Sequence, residues 1–150
     1  MSIVRITKQF TFEMAHALTG YDGLCRNIHG HSYHLDVTVK GTPCQDKNSP
    51  KIGMLIDFGD LKKIVNEEIV LIFDHALVLN KKSNAETITL LQKNYEKVFL
   101  TTFQPTTENL LGYFAEKLKK QFPAHLKLIA LKLRETDSSF AEWYEEDNQE

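Results

Sequence analysis

Cys25-Arg26-Asn27-Ile28-His29-Gly30-His31 is the stretch from which the rest of the chain can be read. In extended backbone, successive side chains alternate between two faces, so His29 and His31 share one. The residues that follow keep the alternation. Tyr33, Leu35, Val37 and Val39 continue the parity of His31 and are mostly apolar, while Ser32, His34, Asp36, Thr38 and Lys40 take the other parity and are polar. This predicts a half-buried strand over about 29–41. His29 and His31 close its core-facing row, and His34 points away. Two neutral imidazoles on one face, opening toward a loop, form a metal-ligand geometry, and zinc needs at least one more protein ligand.

Upstream, Phe10, Phe12, Met14 and His16 also share one parity, apolar until the last member. If residues 3–16 and 29–41 pair as antiparallel strands, joined through 17–28, His16, His29 and His31 converge at one end of the sheet. Three histidines without another obvious ligand describe a catalytic site whose fourth position is open to water or substrate. The alternative is ordinary strand histidines satisfied by hydrogen bonds. The match of all three in parity and position favours the metal site.

The chain has 150 residues, enough for one domain with its own core. Hydrophobic residues make up 42% and charged residues 25%, the balance of a globular protein. The formal net charge of -2 gives no argument for a nucleic-acid partner. No apolar run approaches a membrane span. Met1-Ser2-Ile3-Val4-Arg5-Ile6 contains no signal-peptide core and runs into a strand pattern, so a cytoplasmic location is expected. The only cysteines, Cys25 and Cys44, are then expected to remain thiols.

Along the rest of the chain, Thr42–Lys51 reads as a loop and Met54-Leu55-Ile56 as a short apolar run. Asp57 or Asp60 can start a helix, with Leu61, Ile64, Val65, Ile69 and Ile72 at helical spacing through about residue 73. Asp74-His75 follows at once, where a cationic His would suit a helix C-terminus. Residues 80–105 form an extended connection, in which Val98-Phe99-Leu100 suits a short strand ended by Pro105. Thr106 or Thr107 can cap a second helix with Leu111, Phe114, Leu118 and Phe122 on its apolar face, and Pro123 stops it. A third strand covers about 126–136, with Ile129, Leu131 and Leu133 inward, and a fourth about 140–144. The order ββααββ predicts an α+β domain over 1–150: a four-stranded antiparallel sheet with its helices on one face.

Glu135 ends the apolar row of the third strand as His16 ends that of the first. A strand-end carboxylate can accept paired N–H donors from a planar heterocycle. It can equally be a solvated terminus. Glu108, at a helix start, is explained by the macrodipole alone. Cys25 suits a small buried residue or a fourth zinc ligand.

Several motifs occur in a fixed order: Phe12-Glu13-Met14-Ala15-His16, Cys25-x-x-x-His29-Gly30-His31, Asp57-Phe58-x-x-Leu61, Asp74-His75, Pro105-Thr106-Thr107-Glu108-Asn109 and Glu135-Thr136. Together they resemble the 6-pyruvoyl-tetrahydropterin synthase / 6-carboxytetrahydropterin synthase family over most of the chain. The 80–105 connection is longer than in simpler members. The resemblance implies a tunnelling fold whose trimers pair into a homohexamer with active sites between subunits. It implies zinc at His16, His29 and His31, and a pterin triphosphate substrate, 7,8-dihydroneopterin triphosphate. Glu135 corresponds to the pterin anchor, with Thr107 and Glu108 as further substrate-binding positions. Cys25 corresponds to the proton-abstracting residue, and Asp74 and His75 to its relay partners. A thiol beside a bound cation and an Asp-supported His suit proton transfer on and off adjacent carbons.

Three functions share these residues. A 6-carboxytetrahydropterin synthase would release acetaldehyde and triphosphate on the route to queuosine and other 7-deazaguanines. This reading is favoured by the compact chain and the Cys-x-x-x-His-Gly-His spacing. A 6-pyruvoyl-tetrahydropterin synthase would eliminate triphosphate toward tetrahydrobiopterin, and Glu135-Thr136-Asp137 is compatible with it. A non-catalytic, zinc-stabilised pterin-binding module is the third; Cys25, Asp74 and His75 argue against it.

Overall fold

The computed structural model of the chain describes residues 2–149. Two long strands, β1 (Val4–His16) and β2 (His29–Gly41), pair antiparallel along their whole length, Val4 opposite Gly41 and His16 opposite His29. The predicted alternation holds. Phe10, Phe12, Met14 and His16 are buried on β1, as are Tyr33, Leu35, Val37 and Val39 on β2, while His34 is exposed. A one-residue slip would turn both rows to solvent, so burial itself fixes the register that brings the histidines together.

The sheet departs from the expected four antiparallel strands. It has six, in the order β4-β3-β1-β2-β5-β6, and it is mixed. β3 (Ala76–Asn80) lies parallel to β1, and β4 (Val98–Thr101) parallel to β3. Parallel neighbours need a crossover. Here it is α3 (Ala85–Asn94), capped by the Asn84 side chain, which accepts from Thr87 N–H at 2.9 Å. The 80–105 connection is therefore a strand–helix–strand unit that widens the sheet. Val98-Phe99-Leu100 is a strand as expected; β3, directly after Asp74-His75, has no polar alternation to announce it.

On the other side, β5 (Lys127–Thr136) pairs with β2 and β6 (Ser139–Tyr144) with β5, both antiparallel. The expected inward row Ile129, Leu131, Leu133 needs one correction. A bulge opposite Thr38 and Val39 absorbs Ile129, so Leu128 is buried before it and Leu131 and Leu133 after it. A bulge inserts one unpaired residue and reverses parity, which plain alternation cannot anticipate.

The first helical run begins at α1 (Phe58–Val65), where the Asp57 carboxylate accepts from Gly59 N–H. It continues as a π-helical segment, Asn66–Val70, and ends in the turn α2 (Leu71–Phe73). Leu61, Val65, Ile69 and Phe73 are its buried residues, a strict four-residue spacing. On an α-helix that spacing drifts by roughly 40° per step. The wider π turn brings Phe73 back toward the core. α4 (Thr107–Lys119), capped by Thr106, buries Leu110, Leu111, Phe114, Ala115 and Leu118. α1 and α4 share one core with the inward faces of β1, β2 and β5, so these two helices lie on one face as expected. Phe12 stacks on Tyr33 at 5.3 Å and meets Phe114 edge-on at 6.3 Å, directly below the histidines.

Candidate metal centre

The β1–β2 register sets His16 opposite His29 and Met14 opposite His31. One ring nitrogen from each of His16, His29 and His31 lies within 4.8 Å of the others. His16 is buried and places Nδ1 2.7 Å from the Pro105 carbonyl, while His29 places Nδ1 2.7 Å from the Asn27 carbonyl. A carbonyl only accepts, so both Nδ1 atoms carry the proton and both Nε2 atoms present a lone pair. Those two lone pairs face each other across 3.1 Å. Neutral imidazoles repel in that arrangement, and a cation between them removes the repulsion. Two nitrogens at zinc-ligand distance in a tetrahedral site stand roughly 3.3 Å apart. The backbone carbonyls at Pro105 and Asn27 are the partners that orient a metal-ligating histidine.

Electrostatics agrees. Burial pushes the His16 imidazole below its ordinary value; the Pro105 carbonyl opposes this and the neighbouring imidazoles add to it. Burial also lowers His31, against the pull of Glu135. Both rings are thus kept neutral, the form that binds a metal ion. His31 Nε2 is buried and lacks hydrogen-bond geometry to any partner among the described residues, although Glu135 Oε1 lies 3.1 Å away. The residues present fit a zinc ion.

Glu135, at the end of β5, is held from α4: Thr107 Oγ1 donates to Glu135 Oε2. Thr107 is buried, so its hydroxyl has a fixed place. Behind them Tyr33 is fully buried, its hydroxyl beside that of Thr107. Burial first, and then Glu135, push that hydroxyl far above the ordinary phenol range. Cys25 lies in the short 3-10 turn Leu24–Arg26, half-buried, close enough to act electrostatically on the Tyr33 hydroxyl but outside the three-histidine cluster.

Asp74 and His75 form a pair, with His75 Nδ1 3.0 Å from Asp74 Oδ2. Glu13 N–H donates to Asp74 Oδ1 at 2.8 Å, and that bond is the main reason the carboxyl is held below its ordinary range. His75 is exposed and borders a cleft of about 840 Å³ that also touches Glu13, Ala15, Ser32, Leu77 and Lys97 and reaches His31 at its edge with the histidine cluster. Glu13, Ala15, Ser32 and Leu77 have the parity opposite to His16 and Tyr33, so within one chain the Asp74–His75 pair opens mainly on the other side of the sheet, with Met14, His31 and Ala76 at the shared border. Glu108 is exposed on the first turn of α4 and borders a separate groove with Phe99 and Tyr113. Thus His16, His29, His31, Glu135 and Thr107 come together, and Asp74, His75 and Glu108 stand apart from them.

The family model for 6-pyruvoyl tetrahydropterin synthase matches residues 5–146. The chain belongs to this family. Over 143 residues it is 39% identical to the 6-carboxy-5,6,7,8-tetrahydropterin synthase of Haemophilus influenzae, a match covering 94% of this chain and 99% of that one. The solved 6-pyruvoyl tetrahydropterin synthase of Caenorhabditis elegans superposes with a TM-score of 0.67 at 25% identity, covering 96% of each chain. An uncharacterised protein from Wolinella succinogenes shares the fold with a TM-score of 0.71 at 20% identity, covering 97% of this chain and 99% of that one. In this pterin synthase family member, sequence reasoning missed the carbonyls of Pro105 and Asn27, which have no side-chain signature. It also missed the Tyr33 hydroxyl; a Tyr two residues beyond His31 on the same strand face was the available signal. No helix among the described residues is long and apolar enough to cross a membrane.

Proposed function

We propose that the protein converts 7,8-dihydroneopterin triphosphate and one water into 6-carboxy-5,6,7,8-tetrahydropterin, acetaldehyde and triphosphate, on the route to queuosine and other 7-deazaguanines. The observation that carries this reading is the convergence of His16, His29 and His31 beside the Thr107–Glu135 pair. The 39% identity to a 6-carboxytetrahydropterin synthase over nearly the whole chain supports it.

Zinc held by the three histidines would supply a Lewis acid at the oxygens of the substrate side chain. Glu135 accepts ring N–H donors of the pterin, and Thr107 fixes the orientation of its carboxylate. This anchoring sets the reacting carbons against the metal centre, and such positioning is itself catalytic. Phe12 and Tyr33 form the dry floor beneath the histidines. Cys25 takes a proton from a side-chain carbon. His75, oriented by Asp74, returns one. Because the Asp74–His75 pair opens away from the histidine cluster in its own chain, it serves the Cys25 site of a neighbouring subunit in a hexamer of two trimers.

A second reading is supported by the likeness to the Caenorhabditis elegans enzyme: elimination of triphosphate with the side chain retained, toward tetrahydrobiopterin. Mass spectrometry of the products from 7,8-dihydroneopterin triphosphate separates the two. The expected result is 6-carboxytetrahydropterin with an equal amount of trapped acetaldehyde. A 6-pyruvoyl product without acetaldehyde would move the assignment to the second reading. Stoichiometric pterin binding without turnover would make the protein a binding module.

A further inference from the structure

We infer that Lys97, brought in by the α3–β4 segment, is a positioning residue that holds the turn presenting His75. This rests on the proposed role of Asp74 and His75 in proton transfer. The helical run ends at Phe73, and its last carbonyls have no partner inside the helix. Lys97 Nζ donates to two carbonyls there, Leu71 at 2.8 Å and Asp74. A cation at this end also meets the negative end of the helix dipole.

The turn it grips needs holding. His75 has φ 60°, and it is the only non-glycine residue with positive φ among the described residues. A side chain with a Cβ rarely takes that conformation unless its surroundings impose it. On one side the turn is tied to β1: Glu13 N–H donates to Asp74 Oδ1, and His75 N–H donates to the Glu13 carbonyl at 2.6 Å. Lys97 is the tie on the other side. Its own backbone is fixed, because the Lys97 carbonyl accepts from Leu77 N–H at 2.9 Å. The ammonium therefore reaches the turn from a strand boundary, not from a free loop. The segment that lengthens this chain between Asp74-His75 and Pro105 thereby acquires a purpose: it completes the clamp on the pair that precedes it.

The test uses the zinc-loaded enzyme with 7,8-dihydroneopterin triphosphate, comparing Lys97→Met, Lys97→Arg, Lys97→Gln and His75→Ala. The charged and titratable groups around the turn are Glu13 on β1, His31 on β2, Asp74 and His75 themselves, and Tyr95, Glu96 and Lys97 ahead of β4. Lys97→Met is expected to lower kcat roughly 10- to 100-fold, the scale of a misplaced reacting group. KM and zinc content stay unchanged. The acid limb of the kcat–pH profile moves to higher pH, because Lys97 is one of the groups that hold the Asp74 carboxyl low. Lys97→Arg restores most of kcat and the original profile. If Lys97→Met does not fold, Lys97→Gln, which keeps donors without charge, is expected to show the same displacement with a smaller loss. Wild-type kcat and profile in the neutral variants, with turnover abolished in His75→Ala, would overturn the role of Lys97 alone. Equal losses in the Met and Arg variants with an unmoved profile would reduce Lys97 to a structural residue. Full turnover in His75→Ala would overturn the proton-transfer reading beneath it.

Discussion

Replacing Glu135 by Gln removes the charge of one carboxylate and leaves its size. In the structure, Oε2 accepts from Thr107 and Oε1 stands 3.1 Å from His31 Nε2. A carboxylate accepts on both oxygens, whereas an amide offers one acceptor and one donor. The amide therefore cannot take two ring N–H groups while remaining an acceptor for Thr107. A hydrogen bond to a charged group contributes about 1.5–3 kcal/mol. At about 1.4 kcal/mol per factor of ten, losing one such bond weakens pterin affinity by about 10- to 150-fold. Glu135 lies outside the three-histidine cluster proposed to hold the metal, so zinc content is expected to remain that of the wild type. Titration with 7,8-dihydroneopterin, which lacks the triphosphate, isolates the ring contact. Elemental analysis of the same preparation reads the metal. Wild-type affinity would refute the anchor. A parallel loss of zinc would show that Glu135 holds the metal centre rather than the pterin.

Other outcomes follow from the same geometry. His29→Ala is expected to lose zinc and turnover together, and unchanged zinc by elemental analysis would remove His29 from the site. Cys25→Ala is expected to keep zinc and pterin affinity but lose turnover by about 10²–10⁴-fold, the effect of removing a general base; zinc lost in step with activity would make Cys25 a ligand instead. Mixing dissociated Cys25→Ala and His75→Ala subunits is expected to restore part of the activity, and mixed assemblies without activity would refute sites shared between subunits. Burial holds His16 and His31 below 6.5 in the folded apoprotein, so the unfolded chain binds more protons at and just below that pH. Apoprotein stability should rise with pH through that window and fall on acidification; urea midpoints that do not fall from pH 7 to pH 5 would contradict it.

The three-histidine cluster was legible because it obeys a period of two. His16, His29 and His31 each end an apolar row, and the pairing of β1 with β2 follows from burying those rows. Glu135 was legible for the same reason, although the bulge at Ile129 shows how close that argument came to failing. Had that bulge against β2 fallen between Leu131 and Glu135, the carboxylate would have faced the other way, and the pairing of β5 with β6 is already irregular at Glu135 itself. The six-stranded sheet was not legible. Ala76-Leu77-Val78-Leu79 is uniformly apolar, as a strand flanked on both sides by parallel neighbours often is, and carries no alternation. α3 buries only Ile88, so its sequence has little apolar periodicity to detect. The π segment hid in plain helical spacing. Glu108 could be placed near a helix start but not on a particular side of that helix.

One strand organises both halves of the proposed chemistry. The inward face of β1 carries Phe12 and Met14 into the core and His16 into the histidine cluster. Its outward residue Glu13 uses its backbone to seat Asp74 and His75, and its side chain accepts from Ser32 Oγ at 2.7 Å. The parallel pairing of β3 begins at Met14 opposite Ala76, directly after His75, so the pair enters the sheet at a fixed height relative to His16. A rigid strand transmits that height without a flexible loop between the two sites. If neighbouring subunits repeat this arrangement around a symmetry axis, each His75 stands at one constant distance from the next metal centre. Precision of that kind comes from sheet register, which the buried rows of β1 and β2 already determine.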